Sequence, residues 1–75
     1  MYNGHPSRNY WNVALWIAND YGLYQLALEC IRIAKNRKDA AQAMFDALTD
    51  TGHAKTPDGA PYIRASILHA MRGLS

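Results

Sequence analysis

The fold is written in Tyr10-Trp11-Asn12-Val13-Ala14-Leu15-Trp16-Ile17-Ala18-Asn19-Asp20-Tyr21-Gly22-Leu23-Tyr24, which holds most of the aromatic side chains of a 75-residue chain. Stepping about 100° per residue, a helix over 8–19 gathers Trp11, Ala14, Leu15 and Ala18 on one face and Tyr10, Val13 and Ile17 on the next, with Trp16 beyond them. Only a narrow polar strip of Arg8, Asn12 and Asn19 is left, with Asn9 apart from it. A helix apolar over most of its circumference is normally enclosed by other helices or by a partner chain, so this one is expected to be the largely buried centre of the fold. Full burial of each large apolar side chain is worth about 1.5–3 kcal/mol, which makes Trp11 a predicted core residue. Trp16 borders the polar side and is the better candidate for contact with a partner.

The remaining segments read as helices in turn. Met1 to Pro6 is an extended arm, because Asn3-Gly4 signals a turn and Pro6 disfavours helical geometry at His5. Ser7 can cap the first helix, and Asp20 can cap a second over 21–35 in which Leu23, Leu26, Ala27, Cys30, Ile33 and Ala34 recur at helical spacing. Asn36 caps a third over 37–50, with Asp39 well placed against its dipole; Ala41, Met44, Phe45 and Leu48 form its apolar stripe and Gly52 closes it. Thr56-Pro57-Asp58-Gly59 is a turn, and Pro61 falls in the first turn of a fourth helix over 60–73, whose inner face is Ile63, Ile67, Ala70, Met71 and Leu74. No alternating pattern is long enough for a strand. The expected fold is all-α, one compact four-helix domain spanning 1–75.

Composition narrows the function classes. Eight Lys and Arg against six Asp and Glu give a net charge of +2, too mild to require a nucleic-acid or anionic-membrane partner. No apolar run approaches the roughly 18–20 residues of a membrane span, and no signal segment opens the chain, so a soluble cytoplasmic protein is expected. The single cysteine, Cys30, lies in an apolar pattern and reads as an inert buried thiol. His5, His53 and His69 are far apart in sequence, the glycines are scattered singly, and no nucleophile and base stand in a recognisable arrangement. The sequence therefore predicts no enzyme, no cofactor and no metal.

Two charged features remain as candidate binding sites. Arg32, Lys35, Arg37 and Lys38 make a basic knob where the second helix meets the third. It can satisfy the dipole of the second helix or contact phosphates. Entry of the third helix into a DNA groove is opposed by Asp39, Asp46 and Asp50, which lie on one line of that helix around Ala43. At about 1.5 Å rise per residue, successive carboxylates stand roughly 10 and 6 Å apart along the axis, and the second spacing is near that of phosphates on one strand.

Tyr10-Trp11-Asn12, Leu15-Trp16, Asn19-Asp20 and Leu23-Tyr24 together resemble a "TWNVALWIDND-GLY" motif of small phage and mobile-element proteins, and the Thr56-Pro57-Asp58-Gly59 turn before a helix resembles the same group. The resemblance covers about a third of the chain. It implies a phage or prophage setting, in which small proteins often act as anti-defence factors such as anti-CRISPRs. The leading expectation is thus a non-enzymatic inhibitor that binds a host defence (CRISPR–Cas) complex in the bacterial cytoplasm through Asp39, Asp46, Asp50 and Trp16. A DNA-binding or regulatory phage protein using Arg32, Lys35, Arg37 and Lys38 is the alternative. A homodimer that buries exposed aromatics is a third.

Overall fold

A computed structural model of the chain describes residues 4–74. Four helices, α1 (Arg8–Asn19), α2 (Tyr21–Ile33), α3 (Arg37–Asp50) and α4 (Arg64–Arg72), make an all-α single domain. They close into a ring, α1 packing on α2 and α4, and α3 packing on the same two helices. Among the described residues no helix is long and apolar enough to cross a membrane.

Local chemistry places three of the four helix starts. The side-chain oxygens of Ser7, Asp20 and Asn36 accept from the backbone N–H of Tyr10, Leu23 and Asp39, at 3.3, 3.0 and 2.8 Å. Each satisfies one of the amides that a helix leaves without an internal partner. Asp20 ends α1 and begins α2, which makes the corner between them sharp. At the far end of α3, Gly52 takes a φ of 79° and the amide of His53 reaches back to the Leu48 carbonyl at 2.8 Å, closing the helix as expected of a left-handed glycine.

Two boundaries differ from the sequence expectation. The second helix stops at Ile33 rather than Lys35, because Ala34 turns extended (φ −88°, ψ 155°) to bring Asn36 into its capping position. The fourth starts at Arg64 rather than near residue 60. Pro61 is not in its first turn: the Thr56 amide bonds the Ala60 carbonyl and the Tyr62 amide bonds the Ala54 carbonyl, at 2.8 and 2.9 Å. Lys55 and Pro61 thereby form an isolated antiparallel bridge. Backbone groups engaged across this small hairpin are unavailable to a helix. Ser66 then anchors α4, its Oγ accepting from the Ile63 amide at 3.2 Å and donating to the Ile63 carbonyl at 2.9 Å. Ile63 has no side-chain acceptor to return, so the cap is one-sided.

The core is Val13 and Ile17 of α1, Ala27 and Cys30 of α2, Ala40, Ala41, Met44 and Leu48 of α3, Tyr62, and Ile67, Ala70 and Met71 of α4. Burial pushes the Cys30 thiol above its ordinary pKa, with the Glu29 charge adding to the effect. The first helix is less enclosed than its composition predicts, and a different side of it is buried. Asn12, Val13 and Ile17 are its buried residues, whereas Trp11 is half-buried and Leu15 is 37% exposed. Asn12, expected in the polar strip, is thus an inner residue. Ile33 and Ile63, expected on buried stripes, are 63% and 41% exposed; Ile33 is the last residue of α2 and Ile63 precedes the first of α4. Of the N-terminal arm, residues 1–3 lie outside the described segment.

Candidate partner-binding site

The reason Asn12 is buried is the turn that follows α3. Thr56 donates its hydroxyl to Asn12 Oδ1 at 2.6 Å, and Asn12 Nδ2 donates to Asp58 Oδ2 at 2.9 Å. The same carboxylate oxygen accepts the Trp16 indole N–H at 2.9 Å. Thr56 Oγ also accepts from the Ala60 amide at 3.0 Å, and Gly59, with a φ of 92°, turns the chain so that its amide bonds the Thr56 carbonyl at 2.8 Å. Residues four apart on α1 are therefore stapled to residues two apart on the loop. Buried polar groups are tolerable only when paired, and here Asn12 and Thr56, at 2% and 4% exposure, satisfy one another. The bonds from Asn12 and then Trp16 hold the Asp58 carboxyl below its usual range, with the Arg8 charge assisting and slight desolvation opposing.

This staple fixes the Trp16 ring. One wall of a cleft of about 540 Å³ is that ring, and the others are Leu23, Leu26, Leu48, Pro57 and Tyr62. Its rim carries Asp20, Thr51, His53 and Lys55. Tyr62 is buried to 6% exposure, which together with the Asp20 charge raises its phenol pKa. Thr51 Oγ and His53 Nδ1 lie 3.0 Å apart on the loop side. An apolar depression of this size, edged by a few polar groups and backed by an aromatic ring whose N–H is held by Asp58, is suited to receive a large side chain of a partner.

The other candidate residues fall on separate surfaces. Asp39, Asp46 and Asp50 are all exposed on α3, while Leu48 of the same helix is buried, so the acidic line points away from the core and is not joined to the Trp16 cleft. Asp46 is tied down: Gln42 Nε2 donates to it at 2.9 Å, and Arg64 Nη1 donates to Gln42 Oε1 at 2.9 Å. The basic knob is split. Arg32 is engaged with Glu29 one turn earlier on α2, through Nε at 3.1 Å and through Nη2, lowering the Glu29 pKa and raising that of Arg32. Lys35 is exposed and Arg37 half-buried. Lys38 and Arg64 both line a groove of about 580 Å³ between α3 and α4, in which Asp39 also lies.

Three features escaped the sequence reading. An asparagine inside an otherwise apolar helical stretch was the available signal for the Asn12–Thr56–Asp58 staple. Arg64 of α4 lines the same groove as Lys38 of α3, 26 positions earlier in the chain. His5 and His69 meet, their ring nitrogens Nδ1 and Nε2 only 2.7 Å apart, across 64 positions that no spacing rule spans.

No curated protein and no solved structure matches the chain. Its residues 1–74 match a family of unknown function, and the chain, with its stapled Trp-Asn helix and Thr-Pro-Asp-Gly turn, belongs to that family, DUF7249.

Proposed function

We propose that this chain is a non-enzymatic phage or mobile-element protein that inhibits a host defence complex of the CRISPR–Cas type by covering part of its protein surface in the bacterial cytoplasm. The observation that carries the reading is the Trp16 cleft: a half-buried aromatic ring bonded to Asp58 beside Tyr62, Leu23 and Leu26. Interfaces draw most of their energy from a few aromatic anchors that are rigid before binding, since little conformational entropy is then lost on association. The motif that resembles phage proteins supplies the setting, and it contains Asn12 and Trp16, the two α1 residues that hold the turn. Asp39, Asp46 and Asp50 form a second contact line, suited to the lysine and arginine rows that nucleic-acid-handling complexes expose.

The test is phage plating on a bacterium with an active CRISPR–Cas system directed against that phage, with and without the chain expressed. Wild type restores plating and is recovered bound to a subunit of the defence complex. Trp16→Ala, shown by circular dichroism to be folded, does neither, because loss of an anchor costs about 2 kcal/mol or more, roughly thirtyfold in affinity. Absence of both rescue and capture across such hosts overturns the proposal.

A second reading rests on Lys38 and Arg64, which both line the α3–α4 groove. Two cations so placed, with Arg37 nearby in sequence, suit a phosphate backbone, and the reading predicts duplex DNA binding that weakens steeply between about 50 and 200 mM salt. Asp39 in the same groove opposes it.

A further inference from the structure

The described N-terminal segment, residues 4–7, is held to the body of the domain by an imidazole pair. His5 Nδ1 faces His69 Nε2 at 2.7 Å, and the two rings meet edge to face at 75° with centroids 5.0 Å apart. Tyr10, in the first turn of α1, packs its ring on His69 at 60° and a centroid distance of 5.4 Å, so His69 is sandwiched between the arm and α1. Both histidines are half-buried. Below this contact runs an apolar groove of about 260 Å³ between α1 and the C-terminal end of α4, lined by His5 itself together with Leu15, Ala18, Ala70 and Leu74 among others.

An N–N contact of this length is a hydrogen bond, and it requires one nitrogen to carry a proton and the other a lone pair. Two neutral rings meet that condition, and so does one neutral ring facing one cation. Two imidazolium rings do not: each nitrogen then presents N–H to N–H, and two positive charges stand in contact. We propose that the His5–His69 pair is a proton-sensitive clasp, which closes the N-terminal segment over the α1–α4 groove while at least one ring is neutral and releases it when both are protonated. The groups that face His69 are His5 from the arm, Tyr10 from α1 and Arg72 from its own helix. The Arg72 guanidinium opposes a second positive charge here. Partial burial, followed by the charges of His5 and Arg72, lowers the His69 pKa from 6.5, so release falls on the acid side of that value.

Release is local rather than global, because the clasp ties down only the arm. The helix ring is closed by Ile17, Met44, Ile67 and Met71, all fully buried. The clasp and its groove share no lining residue with the Trp16 cleft.

The experiment is an NMR titration of the intact chain from pH 8 to pH 4.5, following the imidazole resonances together with backbone heteronuclear NOEs of Gly4, His5 and Ser7. The expected result is a fall in these NOEs that tracks the titration of His69, while core amides such as Ile17 and Met44 keep their shifts. His69→Phe removes the ring nitrogen that bonds His5 and should leave the segment loose at every pH. His69→Gln, which can still bond the His5 ring through its amide and carries no charge, should hold the segment to lower pH than wild type. A segment that stays rigid through the His69 titration overturns the clasp, as does a loosening that coincides with loss of the core shifts.

Discussion

Thr56 and Asn12, 44 positions apart, share a hydrogen bond of 2.6 Å inside the domain. It joins a turn that any chain could make to a helix that any apolar stretch could form, and so fixes how the two are placed. A buried pair of this kind contributes only about 0.5–1.5 kcal/mol when intact, yet leaving one partner unsatisfied costs about 1–3 kcal/mol. The asymmetry makes it a determinant of specificity more than of raw stability.

Asn12→Ala is therefore expected to destabilise the domain by about 1–3 kcal/mol, since it strands the Thr56 hydroxyl and removes a donor from Asp58. For a chain of this size that is a fall in Tm of about 4–8 °C per kcal/mol. Thr56→Val should cost less on the Asn12→Ala background than on wild type. Thermal denaturation of the two single variants and the double variant gives the coupling, expected at about 0.5–3 kcal/mol. Strict additivity would show that the two side chains do not work as a pair.

Asp58 makes the same staple sensitive to acid. Its pKa lies below the ordinary 3.8 because the ionised form accepts from Asn12 and Trp16. A carboxylate depressed in the fold adds stability that is present above the unfolded value and is lost as pH falls through the folded one. Wild type should thus exceed Asp58→Asn in stability from neutral pH down to about pH 4, and the gap should close as pH drops below 3.8. Urea midpoints of both proteins between pH 7 and pH 2.5 measure it. A gap that is constant with pH would mean that the charge of Asp58 is irrelevant.

Gly59 carries the turn with a φ of 92°, where no neighbouring atom lies within 4 Å of the position a Cβ would take. Space is therefore not the constraint at this residue; backbone conformation is. Gly59→Ala should cost about 1–2 kcal/mol through the left-handed geometry alone. The indole of Trp16 should report it as well, because a distorted turn moves Asp58 away from Nε1. A Tm equal to wild type, with unchanged Trp fluorescence, would place the turn outside the folded staple.

What could be read in advance was what depends on nearest neighbours. Ser7, Asp20 and Asn36 cap helices by contacts three residues away, and each does so in the fold. The start of α4 could not be read the same way: the local rule puts Pro61 in a first helical turn, but the Tyr62 amide is taken by Ala54 and the Thr56 amide by Ala60. Asn12 failed for the same reason. Helical periodicity places it beside Arg8 and Asn19 on a wet strip, and only the return of Thr56 and Asp58 makes that position an interior one. Trp16 was legible as a side chain between two environments, though not as one whose N–H is already engaged.

The acidic line offers the last test. Asp50 is the final residue of α3, and that helix has no basic residue in its last turn, so a carboxylate there sits against the negative end of the helix dipole. Replacing it by lysine should stabilise α3 by about 0.3–1 kcal/mol. Asp46 is exposed, and its one hydrogen bond comes from Gln42, which also accepts from Arg64. Loss of a surface bond of this kind falls within about 0.5 kcal/mol. The two effects oppose one another, and the Asp46→Lys, Asp50→Lys double variant should melt within a few degrees of wild type. Any loss of function can then be assigned to charge. If carboxylates on α3 compete for basic rows of a defence complex, the double variant should inhibit much less well than wild type. The difference should shrink as salt is raised, because exposed charges are screened beyond about 8–10 Å at physiological ionic strength. Plating efficiency in the host, together with binding to the captured subunit at low and high salt, measures both. A double variant that melts and inhibits like wild type would assign partner binding to the Trp16 cleft, with α3 presenting nothing more than a solvated face.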